Sequence, residues 1–548
     1  MIMKFVKRIL SHITPNLIIY FLIANLLLIF SNIPLLLRFL RTPEGMSFNF
    51  SHTLWDHDYG LYRSAIIQGK SGFWLYHDAV TSEKTTPGIF YIFYVIVGKF
   101  AWLFNLSSVI AYHLARIISV ELFFILLYFL TKILLGNYYG LWAAFIALIS
   151  TVSPLFIFKE KLEVGFGVPW WTNFGALERL NSLPHYIFAN DLLIASVILI
   201  LLFFKNDQVK YAVLAGILIF IGGIFFPAVL SPIGIALPLS IFFIFLRNLF
   251  IKPKIRQNKK IFIGLYIIFI FSFLSLLACK YQEKQGFPWN ETFTSWQVNR
   301  WNYSEPNFNY NAFFVLGILP ILSIPAILKN LQSGNTEFIF ISIWSILPLI
   351  LLPFVNILQI PKLRLLEDSH FISYAILASQ SLSIINSKLN LKFIKNIIII
   401  FLLIITIQVE VNIFLWKISF ITDNFAPGLF YFQIAELSGI KYIEEAIPAN
   451  SIILSQTSYI FPAYAPVISY WGHMALTKNF SLKQENSRLF FSNQMPETEA
   501  KKLLFNNRIH YVYWGPEEKK LSSKPLSYNF LIPVYQDSNV TIFQVQIL

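Results

Sequence analysis

Apolar stretches of about 17–24 residues recur along this chain, separated by short charged loops, and that recurrence constrains the fold more than any other feature. A run of this length is what an α-helix needs to cross the hydrocarbon core of a bilayer. Candidates lie near 17–40, 88–104, 109–130, 139–157, 186–204, 211–228, 231–246, 261–279, 311–328, 337–356, 369–387 and 393–416. Of the 548 residues 56% are hydrophobic and 13% charged, too little charge to cover a soluble protein of this size. The 56 Phe and 26 Tyr suit lipid-facing and interfacial positions. The sequence therefore predicts an α-helical polytopic membrane protein with about 11–13 transmembrane helices over 1–416. Beyond 416 the hydropathy changes character, and 417–548 reads as a soluble α/β domain. In it 432–446 and 498–507 have helical spacing, 451–454 is a short β-like run, and 509–514 reads as a buried strand closing on Gly515-Pro516.

The net charge of +14 does not point to nucleic acid, because the basic residues sit in clusters between apolar runs. Arg247, Lys252, Lys254, Arg256, Lys259 and Lys260 form one such cluster, typical of loops held at the cytoplasmic face. Loops 205–210, 247–260, 329–336 and 388–395 are accordingly read as cytoplasmic. Lys4, Lys7 and Arg8 place the N-terminus inside, and the run after them lacks a small-residue cleavage site, so it is read as an anchor. Stretches 41–87, 158–185, 280–310 and 357–368 and the C-terminal domain then face outward, across the cell inner (plasma) membrane. Twelve full crossings cannot connect an inside N-terminus to an outside C-terminus. Either one crossing between Thr86 and Asn137 is incomplete, or a further span is hidden. The single cysteine, Cys279, excludes an intrachain disulfide and a cysteine metal site.

The first outer stretch carries Asp56 and Asp58 directly behind a membrane helix, within Trp55-Asp56-His57-Asp58-Tyr59-Gly60-Leu61-Tyr62-Arg63. A carboxylate at the mouth of a membrane cavity is partly desolvated, which moves it toward a usable base. The same residues would also suit a solvated loop with an aromatic belt. In an extended segment the two acids share a face, whereas on a helix they diverge by about 200°. A helix-like stretch over 62–68 follows, then Trp74 and Tyr76, then Glu83-Lys84-Thr85-Thr86-Pro87-Gly88 before the next apolar run. This order resembles the first luminal loop of the GT-C glycosyltransferases, such as the lipid A aminoarabinose transferases and protein O-mannosyltransferases. Asp58 and Tyr62 match the family's acid-then-Tyr spacing, and Lys84 with Pro87 matches the element that opens the second helix. The resemblance continues through Arg116 and Gly136 to Ser153-Pro154-Leu155, covering about the first 160 residues. Tyr59 stands where a second acid is usual, Asp56 is a competing carboxylate, and Lys84 lies two residues further from Pro87 than the pattern has it.

The resemblance implies an enzyme that moves a sugar from a polyprenyl-phosphate donor to an acceptor glycan, lipid or protein on the extracytoplasmic face, by single displacement with inversion. It implies Asp58 as the base, and Lys84, Lys362 and Arg364 as stabilisers of the departing phosphate. It requires no soluble cofactor; a divalent metal serves some relatives, although no ligand cluster is evident in the sequence. Lys362 and Arg364 are cations on the outer side, against the positive-inside tendency, so a lipid phosphate is a natural partner. Glu367, Asp368 or lipid headgroups could equally hold them, and His370 closes the same stretch. In the second outer stretch, which holds Glu163, Trp170 and Trp171, the family analogy makes Glu178 and Arg179 candidates for shaping the substrate site. A plain ion pair at a helix end is their other reading. The aromatics of 280–310, including Trp289, Trp296, Trp301 and Tyr303, suit either sugar faces or a membrane interface. A transporter or flippase of lipid-linked saccharides would share the aromatic cavity and outer cations, but would need neither a carboxylate behind the first helix nor an outer domain. Transporters commonly show internal repeats, and none is found here.

Overall fold

A computed structural model of the chain describes residues 14–53, 56–152, 154–158, 162–166, 175–251, 259–291, 297–304, 315–366, 369–389, 392–423, 430–522 and 524–546. Up to Asp423 the chain is dominated by apolar helices. Among the described residues six are long and apolar enough to cross a bilayer: Pro15–Leu40, Ser108–Ile149, Pro184–Asn206, Pro227–Arg247, Lys260–Glu283 and Thr336–Leu358. Their outer faces expose Leu22, Ile29, Phe262, Phe269 and Phe273, which a soluble protein would bury and lipid would cover. The chain is a polytopic helical membrane protein, as its hydropathy predicts.

The six are fewer than the apolar runs in the sequence because several runs fold as shorter pieces, among them Ile92–Leu103 and Val209–Phe225. The 12 residues of Ile92–Leu103 rise only about 18 Å, against a hydrocarbon core of about 30 Å. The two expected spans that follow it join in one continuous stretch, Ser108–Ile149, interrupted at Gly136, whose φ of 74° lies in the left-handed region. The chain reverses there. A Cβ on Gly140 would stand 2.7 Å from the carbonyl oxygen of Thr131, a contact that a straight helix could not make over nine residues. The expected second span, 139–157, ends early because Pro154–Phe158 pairs antiparallel with Leu162–Phe166.

The chain divides into two compact units. The first comprises Met1–Ile33, Arg116–Ala278 and Gln297–Phe420. Within it Pro184–Asn206 and Val209–Phe225 approach closely over small residues, and Ser196 donates to the carbonyl of Ala215 at 3.2 Å.

The second unit comprises Pro34–Ala115, Cys279–Trp296 and Ile421–Leu548. Within this unit the C-terminal region from Ile421 is compact with 34–115. The cause is main-chain pairing. Met46–Phe48 runs antiparallel to Tyr431–Gln433, with Met46 opposite Gln433. Thr81 bridges Trp471, and the N–H of Ser469 donates to the carbonyl of Ala79 at 2.8 Å. The region's five-stranded sheet has Ile452–Leu454 between the parallel strands Ile468–Ser469 and Tyr511–Trp514; the antiparallel strands Thr541–Val545 and Leu531–Gln536 extend it beyond Tyr511–Trp514. Strand alternation sends Leu454 and Val512 into one core with Phe490, Phe491 and Leu504, and Ile453 and Tyr513 into another with Ile440 and Ile443. Both faces are thus covered by helices, which makes the region α/β. The expected elements at 451–454, 498–507 and 509–514 are present as Ile452–Leu454, Glu497–Asn506 and Tyr511–Trp514. The expected helix 432–446 starts as the strand Tyr431–Gln433, passes through a 3-10 turn at Ile434–Glu436 and is α-helical over Leu437–Ala446.

Candidate functional site

In the second unit the first outer stretch folds as the helix Asp56–Lys70. It lies directly on Ile92–Leu103, because Gly69 meets the carbonyl of Val95 and Gly98 that of Ile66 where any Cβ would clash. Asp58, in the helix's first turn, accepts a hydrogen bond on Oδ1 from Nε2 of His473 at 2.9 Å. The other ring nitrogen of His473, Nδ1, accepts the N–H of Ala475 at 3.1 Å. A main-chain N–H can only donate, so the ring proton resides on Nε2 and points at the carboxylate. The Asp58 side chain keeps 38% of its surface exposed, and its second oxygen makes no hydrogen bond among the described residues. The neighbouring His57 packs on Tyr459 with ring centres 4.3 Å apart. Burial lowers its pKa, the charge of His473 pushes the same way, and Asp58 opposes.

A second polar cluster forms where 78–83 runs beside the C-terminal sheet. Asp78 is 3% exposed. Its Oδ1 accepts the Val80 N–H at 3.1 Å, while its Oδ2 has no hydrogen-bond partner among the described residues. Burial raises its pKa to about 7. Lys483, almost fully buried, donates to Glu83 Oε2 at 2.7 Å, Ser82 Oγ at 2.8 Å and the carbonyl of Tyr470 at 3.0 Å. Burial pulls the lysine's pKa down and Glu83 resists. Downstream, Trp289 Nε1 donates to the carbonyl of Thr86 at 2.9 Å, and Gly88 lies flat against the same indole. Tyr76 and Gly88 exchange main-chain hydrogen bonds of 3.1 and 2.8 Å. The Glu83–Gly88 element is thereby held at both ends, and Lys84 between them is exposed.

The structure sorts the candidates read from sequence. Asp56 and Asp58 lie on one helix, so the extended arrangement with a shared face does not occur; the Asp56 side chain lies outside what is described. Tyr62, read as substrate-binding, is instead buried in a tyrosine cluster, stacked 4.5 Å from Tyr94 and flanked by Tyr91 and Tyr112. In the first unit three further candidates have partners within the protein. Glu178 is paired with Lys417 rather than Arg179. Arg179 is buried, donates to the carbonyls of Ala147 at 2.7 Å and Ser150 at 3.0 Å, and so caps the end of Ser108–Ile149. His370 is 1% exposed, with its ring nitrogens 3.0 Å from the Trp344 carbonyl and 3.2 Å from that of Leu365. Lys362 is held to Asn302, by its N–H to Oδ1 at 2.8 Å and by Nζ to the carbonyl at 3.3 Å. Arg364 donates from Nε to Gln297 at 3.2 Å and lies over the rings of Tyr186 and Phe226. Glu367, Asp368, Trp170, Trp171 and Trp296 fall outside the described residues. Among the described residues no three His, Cys, Asp or Glu side chains are grouped as a metal would need. His473, Lys483 and Asp78 carry no sequence signal of their own; only the order Glu83-Lys84 had drawn attention to this neighbourhood.

No family model and no curated protein sequence matches the chain. Solved structures of the oligosaccharyltransferase of Archaeoglobus fulgidus do. The enzyme AglB in complex with an inhibitory peptide and a dolichol-phosphate is 15% identical, with a TM-score of 0.46 over 90% of this chain and 69% of that one. The form tethered to an acceptor peptide containing the NVT sequon is 13% identical, with a TM-score of 0.48 over the same shares of 90% and 69%. The complex with Zn and sulfate is 15% identical, with a TM-score of 0.45 over 89% of this chain and 67% of that one. At such identity the likeness concerns the fold, and function is argued from the side chains.

Proposed function

We propose that the chain is a GT-C-type membrane glycosyltransferase that moves a sugar from a polyprenyl-phosphate donor to an acceptor hydroxyl or amine, with Asp58 as the base. The observation that carries this reading is the Asp58 carboxylate itself: one oxygen is held by His473, and the other is left open on a half-exposed side chain just behind the first membrane helix. In the reaction the acceptor's proton passes to that open oxygen as the acceptor attacks the anomeric carbon. The bond from that carbon to the phosphate oxygen breaks on the opposite side, its electron pair leaves with the polyprenyl phosphate, and the configuration inverts. A positioned base contributes about 100- to 10,000-fold. Negative charge grows on the departing phosphate, and cations prearranged for it lower the barrier. Lys84, exposed on its clamped element, and Lys362 and Arg364 are assigned that role.

Purified protein incubated with a panel of polyprenyl-phosphate sugars should release polyprenyl phosphate from at least one of them when an acceptor extract is present. Absence of release from every donor, with donor transport into proteoliposomes instead, would replace the enzyme by a carrier. The outer stretches and the C-terminal region are placed on the extracytoplasmic side of the plasma membrane. Cysteines introduced at the exposed Ser71 and Ser538 should both react with an impermeant maleimide in intact cells; protection of either one overturns that orientation.

A further inference from the structure

We infer that His473 is a positioning residue for the base, so that the C-terminal region completes the site begun by the first outer stretch; this rests on the assignment of Asp58 as base. The two residues are 415 positions apart, yet His473 Nε2 stands 2.9 Å from Asp58 Oδ1. The imidazole is held in place from several directions. Its Nδ1 accepts the Ala475 N–H at 3.1 Å, which fixes the tautomer that donates to Asp58. Its carbonyl accepts the N–H groups of Leu476 at 3.0 Å and Thr477 at 2.9 Å, closing a tight turn. Thr477 Oγ1 donates to the carbonyl of Val80 at 2.6 Å and accepts the Gly472 N–H at 3.1 Å, tying this turn to the outer stretch. Gly472 is required at that approach, because a Cβ there would stand 2.9 Å from the Val80 side chain.

This arrangement orients a carboxylate that must take a proton: the hydrogen bond stops rotation about χ2, so that the second oxygen presents a defined lone pair to the acceptor. Misplacement of a reacting group by an ångström costs on the order of 100-fold. The imidazole contributes no proton to the reaction, since its Nε2–H is spent on Asp58.

The test compares His473→Ala and His473→Gln with wild type in the polyprenyl-phosphate release assay, together with thermal midpoints. A glutamine amide can place an N–H donor near the position of Nε2, while alanine cannot. The expected result is a fall in kcat of about 10- to 100-fold for His473→Ala, with donor KM and thermal midpoint close to wild type and most of the rate restored in His473→Gln. Unchanged kcat in His473→Ala overturns the inference while leaving Asp58 as base. So does an equal loss in both variants, or a loss that follows a lowered thermal midpoint, because either describes a structural histidine. A wild-type protein inactive with every donor removes the glycosyltransferase reading itself, a result separate from these and fatal to both.

Discussion

Two regions of this protein bury charge, and they treat it differently. In the first unit Glu410 accepts the N–H groups of Ala176 at 2.8 Å and Leu177 at 3.1 Å and the hydroxyl of Thr151. Nearby, Arg179 donates to main-chain carbonyls and lies 3.8 Å over Phe371, while Glu178 and Lys417 neutralise each other. These charges are spent on holding helix ends and loops. In the second unit Asp58 uses one oxygen of two, and Asp78 leaves an oxygen without a partner although it is 3% exposed. A buried polar atom left unpaired costs about 1–3 kcal/mol, so it persists where something other than stability needs it. Saturation marks the first cluster as structural. Spare acceptors are not confined to the second unit, since both carboxylate oxygens of buried Asp191 in the first unit also lack a hydrogen bond among the described residues. What sets Asp58 apart is that its spare oxygen belongs to a partly exposed side chain.

The largest effect should separate the two clusters. Asp58→Asn keeps shape and can still meet His473, yet cannot take a proton, so transfer should fall by about 100- to 10,000-fold with donor binding and thermal midpoint retained. Arg179→Ala should do the reverse. It strips donors from buried carbonyls, at about 1–3 kcal/mol each, so the thermal midpoint should drop while the folded protein keeps its kcat. If Asp58→Asn were fully active, or Arg179→Ala inactive at unchanged stability, the distinction between the clusters would collapse.

Asp78 sharpens the comparison through pH. Its pKa is about 7 in the folded chain, against about 3.9 unfolded. The raised value means that folding favours the protonated form. The associated stability is full below the unfolded value and is lost as pH rises through about 7. Glu83, Lys483, His473 and Tyr76 are the charged and titratable groups acting on it. Asp78→Asn keeps an acceptor for Val80 and does not ionise. Its thermal midpoint should therefore exceed that of wild type by more at pH 8 than at pH 5. Glu436 and Glu518, also raised by burial, slope the same way but are common to both proteins. Parallel curves would show that Asp78 is not a buried acid.

Arg364 tests whether the first unit keeps one functional charge among its structural ones. Its guanidinium already lies across two aromatic rings and on Gln297, which orients it for planar recognition. Arg364→Ala should weaken donor binding by about 1.5–3 kcal/mol, roughly tenfold or more. Arg364→Lys should lose less, keeping the charge without the bidentate grip. Equal affinities in wild type and both variants would assign Arg364 to the structural group.

Hydropathy made the membrane helices legible, since a stretch of apolar residues can do little else, and strand propensity made Ile452–Leu454 and Tyr511–Trp514 legible. Asp58 was singled out as the proposed base by its spacing behind the first helix. The same spacing misplaced Tyr62, because burial depends on the helix it meets and not on its own sequence. Arg179 and His370 show a different limit of the sequence. An arginine that caps a helix and one that grips a phosphate need the same donors, and only the partner tells them apart. His473 and Lys483 were invisible because hydrogen bonds across some 400 residues leave no local period. The pairing of Met46–Phe48 with Tyr431–Gln433, which unites the two stretches, leaves none either.

The smallest expected effect belongs to the competing carboxylate. On the helix Asp56–Lys70 the first and third residues are about 200° apart, and it is Asp58 that meets His473. What an acid at a helix's first residue contributes is a favourable interaction with the helix dipole, about 0.3–1 kcal/mol. Asp56→Asn should therefore change transfer by no more than about fivefold, mainly through a slightly looser first turn. In the Asp58→Asn background it should remove no further activity. A dead Asp56→Asn beside an active Asp58→Asn would move the base two residues upstream. It would also require the first turn of this helix to unwind when substrate binds, which hydrogen exchange of the Tyr59 and Gly60 amides with and without donor would reveal.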